Sequence, residues 1–166
     1  ALFKTFAKVL AQRWELVATF MAKWSPDFPG QSGHLHQSLW NKDGSSAFYD
    51  ETKEHNMSDT FHHYLAGQIK LLPEVLAMIA PTVNSYTRMI KGFWAPTHSN
   101  WGVDNRTCAI RVIPGSEKNL RLEYRIAAAD GNPYLALAAS IACGLYGIEN
   151  KLELPPIVEG NAYDLN

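Results

Sequence analysis

Histidines at positions 34 and 36 and a serine at 38, in SGHLHQSLW, are spaced to set two imidazoles and a hydroxyl on one side of an extended chain. Leu35, Gln37 and Leu39 then fall on the other side. NLRLEYRI places Arg121, Glu123 and Arg125 opposite Leu122, Tyr124 and Ile126, and TCAIRVI places Arg111 opposite Cys108, Ile110 and Val112. Taken singly, each alternation suits a strand with one wet face. Composition argues for more: nine lysines are scattered along the chain, whereas five of the six arginines (Arg88, Arg106, Arg111, Arg121 and Arg125) fall within 38 residues. Guanidinium is preferred where planar carboxylate or phosphate must be gripped bidentately, so the cluster points to a substrate with several anionic groups. Glu123 is either the ion-pair partner that keeps its flanking arginines apart or, with an imidazole of the first strand, a ligand for a divalent cation. One imidazole with carboxylates and no thiol suits Mg²⁺ or Mn²⁺ better than zinc. A cation, arginines and several anionic groups together describe phosphoryl transfer, where catalysis is chiefly positioning and charge neutralisation.

These side chains need a scaffold. Leu2, Phe3, Phe6, Val9 and Leu10 recur at helical spacing, while ELVATFMAKW favours a strand. SPDFPG is a loop, SGHLHQSLW a strand, and NKDGSS a hairpin turn. SDTFHHYLAGQIKLLPEVLAMIA predicts a long helix capped by Ser58, with Pro73 marking a kink or two abutting helices. TCAIRVI and NLRLEYRI are strands around a PGSEK turn, and NPYLALAASIACGLYGIEN is a closing helix with Pro133 in its first turn. The order implies an α+β fold with mostly antiparallel strands packed with helices.

The 166 residues suffice for one domain or one piece of a larger one, and a formal net charge of −1 argues against the basic surface that nucleic acids or anionic membranes require. Cys108 and Cys143 have neither paired spacing nor a histidine cluster beside them, so a reducing, cytoplasmic setting is expected. No apolar run approaches the length of a membrane span.

In order and spacing, from about Ala18 to Pro156, the stretches ATFMAKW, SGHLHQSLW, NSYTRMIKGFWAPT, NRTCAIRVIP, LRLEYRIAAADGNPYLALAA and GLYGIENKLELPP resemble the C-terminal catalytic part of glutamine synthetase and its relatives. The resemblance implies a partial active-site barrel and ATP-dependent ligation, in which glutamate is phosphorylated on its γ-carboxylate and ammonia or an organic amine displaces the phosphate. It implies that His34 and Glu123 ligate a Mg²⁺ or Mn²⁺ that bridges ATP and glutamate. His36, Ser38, Arg111, Lys118 and Arg121 fall where the family contacts ATP. Gly30, Arg88, Arg106 and Arg125 fall where it holds glutamate, and Arg106 also matches the guanidinium beside the transferred phosphate, a catalytic position.

Two departures from the family pattern matter. The loop ahead of the histidines reads PGQSG rather than Asn-Gly-Ser-Gly, so Pro29 offers no amide side chain. Trp94 stands in the flap where ammonia-using members carry a glutamate that takes a proton from ammonium; an indole cannot be a base. Trp94 suits an organic amine instead, by apolar contact or a cation–π interaction, and the alternative is that His98 serves as base. Residues 1–166 are expected to be a partial catalytic domain. The family's small N-terminal domain, which completes a neighbouring subunit's site in a homo-oligomer, and its upstream glutamate-bearing strands have no counterpart in them. On that reading the isolated chain does not turn over. A non-catalytic scaffold relative is the rival, against which the clustered arginines and the His34–Glu123 pair argue. A stand-alone metal-binding module would need more ligands together, and His55, His62 and His63 read as helix-surface residues.

Overall fold

The computed structural model describes residues 2–165. α1 (Leu2–Gln12) is followed by a long irregular stretch, then β1 (Leu35–Gln37), α2 (Asp59–Ile79), α3 (Val83–Thr87), β2 (Trp101–Val103), β3 (Ile110–Ile113), β4 (Arg121–Tyr124) and α4 (Pro133–Glu149), with 3₁₀ turns at Glu54–Asn56 and Ala162–Asp164. The α+β expectation holds. The strands form one open sheet in the order β1-β4-β3-β2, with β4 antiparallel to both neighbours and β2 parallel to β3. That parallel pair departs from a wholly antiparallel arrangement, and only residues 104–109 join its strands, far fewer than a helical crossover uses. Asp104 at φ 49 turns the chain back, and Asn105 Oδ1 accepts the Thr107 amide at 3.0 Å to close the loop.

The sheet's apolar side packs on α2. Ile110, Val112, Leu122 and Tyr124, all fully buried, share one core with Phe48, Phe61, Tyr64 and Leu65. α2 starts as the sequence predicts, with Ser58 Oγ accepting the Phe61 amide at 3.1 Å. It runs through Pro73 as one helix and not as two abutting ones. Proline removes the donor that would reach the Ile69 carbonyl one turn back, and Ser99 Oγ supplies the replacement hydrogen bond at 2.5 Å. α4 begins with Pro133 at its start behind an Asn132 cap whose side chain accepts the Tyr134 amide at 3.0 Å. It crosses α2 backbone to backbone: a Cβ added to Gly67 would collide with the Cys143 carbonyl and lie 2.7 Å from Gly147 Cα.

ELVATFMAKW forms no strand. Its β propensity has no partner edge and no surface to cover: Val17 is 94% exposed and only Ala22 and Lys23 are buried. TCAIRVI pairs only from Ile110 onward, with Cys108 buried in the preceding loop. NKDGSS does turn, bracketed by a bridge between Trp40 and Ser46 and with Gly44 at φ 87. α1 buries no residue, and the outer face of α4 leaves Leu137, Ile141 and Leu145 open to solvent. Among the described residues no helix is long and apolar enough to cross a membrane.

Candidate active site

β1 and β4 face each other in the register that brings the polar positions together. His36 lies directly opposite Glu123, and Arg111 of β3 lies opposite Glu123 on its other side. Behind this face, the one polar residue on β1's inward side, Gln37, is fully engaged. It donates to Ser140 Oγ at 2.7 Å and accepts from Tyr64 and Gln68 at 2.8 and 2.7 Å, fixing β1 against both long helices.

Glu123 is the hub of the front. It is 5% exposed, and its carboxylate receives Arg125 Nη1 at 3.1 Å, Arg111 Nη1 at 3.3 Å and His34 Nδ1 at 2.8 Å. Burial alone would raise its pKa; the charge of Arg125 and the hydrogen bonds from both guanidiniums outweigh that and hold it below the usual value. Burial, reinforced by the Arg125 charge, pushes His34 down to about 4, so the ring is neutral at ordinary pH. With Nδ1 donating to the carboxylate, the Nε2 lone pair of His34 is left available, the usual arrangement of an imidazole prepared to bind a cation.

Around this hub, Arg111 also grips Asp104 Oδ1 at 2.7 Å, and Arg121 Nε donates to His36 Nδ1 at 3.2 Å. Arg88 and Arg125 are 3% and 4% exposed. Arg88 donates to the Ile126 carbonyl at 2.7 Å and Arg125 to the Trp94 carbonyl at 3.2 Å, yet neither Nε has a partner among the described residues. Burial, and then the nearby Arg125 charge, lowers Arg88 to about 10. Gly30 sits against Arg88: an added Cβ would lie 2.6 Å from its Cγ.

The structure therefore gathers His34, His36, Arg88, Arg111, Arg121, Glu123, Arg125 and Gly30 around one polar face. Ser38 is exposed at its rim, accepting from Trp40 Nε1 at 3.0 Å. Lys118 is exposed in the turn between β3 and β4. Arg106 lies apart from the hub, in a cleft of about 520 Å³ that it shares with Trp94, Asp104 and the 157–160 segment. Trp94 is 62% exposed and held at φ 59, a conformation a bulky side chain seldom adopts. His98 hydrogen-bonds Thr97 at 2.9 Å on the surface. His63 is not a free surface residue: its Nδ1 donates to the Leu152 carbonyl at 2.9 Å. Asp104, which braces Arg111, is a site residue that the sequence reading passed over. Its only signal was its place two residues before Arg106 in GVDNRT.

A family model described as the glutamine synthetase catalytic domain matches residues 1–166. The chain is 51% identical, over 99% of its length, to a type-1 glutamine synthetase 2 of Dictyostelium discoideum, covering 32% of that protein. It is 47% identical over 98% to a gamma-glutamylethanolamide synthetase of Streptomyces coelicolor, covering 34%. It is 41% identical over 97% to the gamma-glutamylputrescine synthetase of Escherichia coli, again covering 34%. The chain thus spans about a third of the length of the curated relatives it matches.

Proposed function

The chain belongs to the glutamine synthetase catalytic-domain family, and from that premise we propose that its polar face is one wall of the barrel-shaped active site of an ATP-dependent glutamate–amine ligase. The observation that carries the reading is the buried Glu123 carboxylate, at which His34, Arg111 and Arg125 converge.

The donor set suits a divalent cation. His34 is neutral with Nε2 free, and Glu123 is ionised; among the described residues no third His, Cys, Asp or Glu joins them. With Nδ1 turned to Glu123, His34 would offer Nε2 while the carboxylate orients the ring and adds negative charge beside it, which leaves ligand positions for water and phosphate oxygens, as Mg²⁺ and Mn²⁺ prefer. When bound, the cation would neutralise phosphate charge. His36, Ser38, Arg111, Arg121 and Lys118 would hold and orient the ATP phosphates. The unpartnered Nε groups of Arg88 and Arg125 are buried donors whose desolvation a glutamate carboxylate would offset, with Gly30 packed directly against the Arg88 side chain.

In the first step a γ-carboxylate oxygen of glutamate attacks the γ-phosphorus of ATP and ADP leaves. In the second an amine nitrogen attacks the acyl carbon, the bond from that carbon to the phosphate oxygen breaks, and the proton shed by the nitrogen passes to the departing phosphate or to water. Arg106, exposed beside Trp94, would stabilise charge on the departing phosphate. Trp94 presents an indole at the amine side, an apolar surface that suits the carbon chain of an organic amine better than ammonium; two of the relatives above carry ethanolamide and putrescine in their names.

The cation hub is tested by titrating Mn²⁺ into the chain with and without ATP, following free Mn²⁺ by electron paramagnetic resonance. Binding is expected to strengthen with ATP and to weaken at least about tenfold in His34→Ala, which removes the imidazole ligand, and in Glu123→Gln, which removes the carboxylate that orients it. Equal affinity in all three proteins would overturn the assignment, and a scaffold relative would bind no Mn²⁺ at this face.

A further inference from the structure

Lys23 is 5% exposed, and its ammonium is held by neutral groups. Nζ donates to the Phe28 carbonyl at 2.6 Å and lies 4.0 Å from the centre of the Phe93 ring. Its backbone is clamped by Asn84, whose Oδ1 accepts the Lys23 amide at 2.9 Å while its Nδ2 donates to the Lys23 carbonyl at 2.6 Å. Withdrawing an ammonium from water to meet only a carbonyl and a ring costs more than packing an aliphatic side chain there would, and what the ammonium adds is a directed link between the groups it touches.

Those contacts join three pieces of chain. One is the loop from Trp24 to Gln31, closed at its neck by the Gln31 amide on the Ala22 carbonyl at 2.7 Å; it carries Gly30 against Arg88. The second is α3, which bears Asn84 and is followed at its C-terminal end by Arg88. The third is the segment Ile90–Trp94, where the Phe93 amide donates to the Ile90 carbonyl at 3.2 Å and the Trp94 carbonyl receives Arg125. The Lys23 side chain reaches the first and third pieces while its own backbone is fixed to the second.

We propose that Lys23 is a positioning residue that couples the Gly30 loop to the Trp94 segment, so that the two open and order together. The coupling itself stands on these contacts. Its consequence, that an anionic ligand settling at Gly30 and Arg88 draws the Trp94 cover into place before an amine arrives, rests on the ligase reading.

The test is site-resolved amide hydrogen exchange on the full chain. Lys23→Met keeps the stem and removes the charge, and Lys23→Arg keeps a cation. Exchange at Gln31 and Phe93 is expected to rise together by about tenfold or more in the Met variant, with β4 and α2 amides unchanged, and to return most of the way in the Arg variant. Phe93→Leu, which leaves Lys23 in place, should speed exchange at Gln31 across the contact. A rise at only one of the two amides, no rise at either, or a uniform rise through β4 and α2 overturns the proposal. Adding L-glutamate should protect Phe93 in the wild type and not in Lys23→Met. Glutamate that protects neither segment while the variants still couple them supports the coupling and overturns the ligand assignment instead.

Discussion

Glu123→Gln isolates what the hub does for the fold. The substitution keeps shape and one acceptor oxygen but removes the negative charge facing two buried guanidiniums, Arg125 and, beyond it, Arg88. Glu123 and Arg125 side chains are 7% and 5% exposed, so solvent screening does little to soften the loss. Breaking a pair buried to this degree by removing one partner typically costs about 3–5 kcal/mol, because the surviving charge stays buried without compensation. A domain's whole stability is about 5–15 kcal/mol, so the variant should sit near the edge of folding. With a urea slope of about 2 kcal/mol/M, the unfolding midpoint should fall by about 2 M. The decisive measurement is a double-mutant cycle with Arg125→Met. If the penalty is the stranded guanidinium, removing that charge restores much of the loss, and the double variant is at least about 1 kcal/mol more stable than the sum of the singles predicts. Additive losses, or a midpoint shift below about 0.3 M in the single variant, would refute the account of Glu123 as the counter-charge that lets this face exist.

Other consequences are independent of the hub. Ser99→Ala should cost about 1–3 kcal/mol in urea unfolding by stranding the Ile69 carbonyl, and the cost should shrink in a Pro73→Ala background, where the helix supplies its own donor. Gly67→Ala would gain about 1 kcal/mol of helix propensity, yet the added Cβ meets the backbone of α4, so a net loss of about 1–3 kcal/mol in thermal or urea unfolding is expected. Cys108 is fully buried and its thiol is pushed up to about 11 by burial, so at pH 8 iodoacetamide should leave it unmodified in the folded chain and alkylate it in urea, as read by mass spectrometry. Leu137→Lys with Ile141→Glu on the outer face of α4 should lower dye binding and sedimentation-detected self-association without shifting the unfolding midpoint, since neither side chain is in the core.

How far the site was legible follows from the range of the forces that make it. Period-two alternation is local, so His34, His36 and Ser38, and likewise Arg121, Glu123 and Arg125, could be assigned to one face from the residues alone. Which strands meet is not local. The His36–Glu123 and Arg111–Glu123 pairings span 87 and 12 positions of chain, and the family resemblance, rather than the pattern, brought them together in the reading. The misreadings share one cause. ELVATFMAKW has strand composition with no edge to join, and Pro73 has a helix-breaking ring whose orphaned carbonyl is answered by Ser99, thirty residues from Ile69. Asp104 and Lys23 escaped notice because an aspartate in a turn and a lysine beside a tryptophan carry no spacing signal; each acquires its role only when a distant partner, Arg111 or Phe93, arrives. Local chemistry thus marks the residues able to act on a substrate, while the residues that hold those groups in place are defined by tertiary contacts. A single-sequence reading of such a site is therefore biased toward its reactive groups and blind to its supports, which is why the supports are the sharper test of the structure.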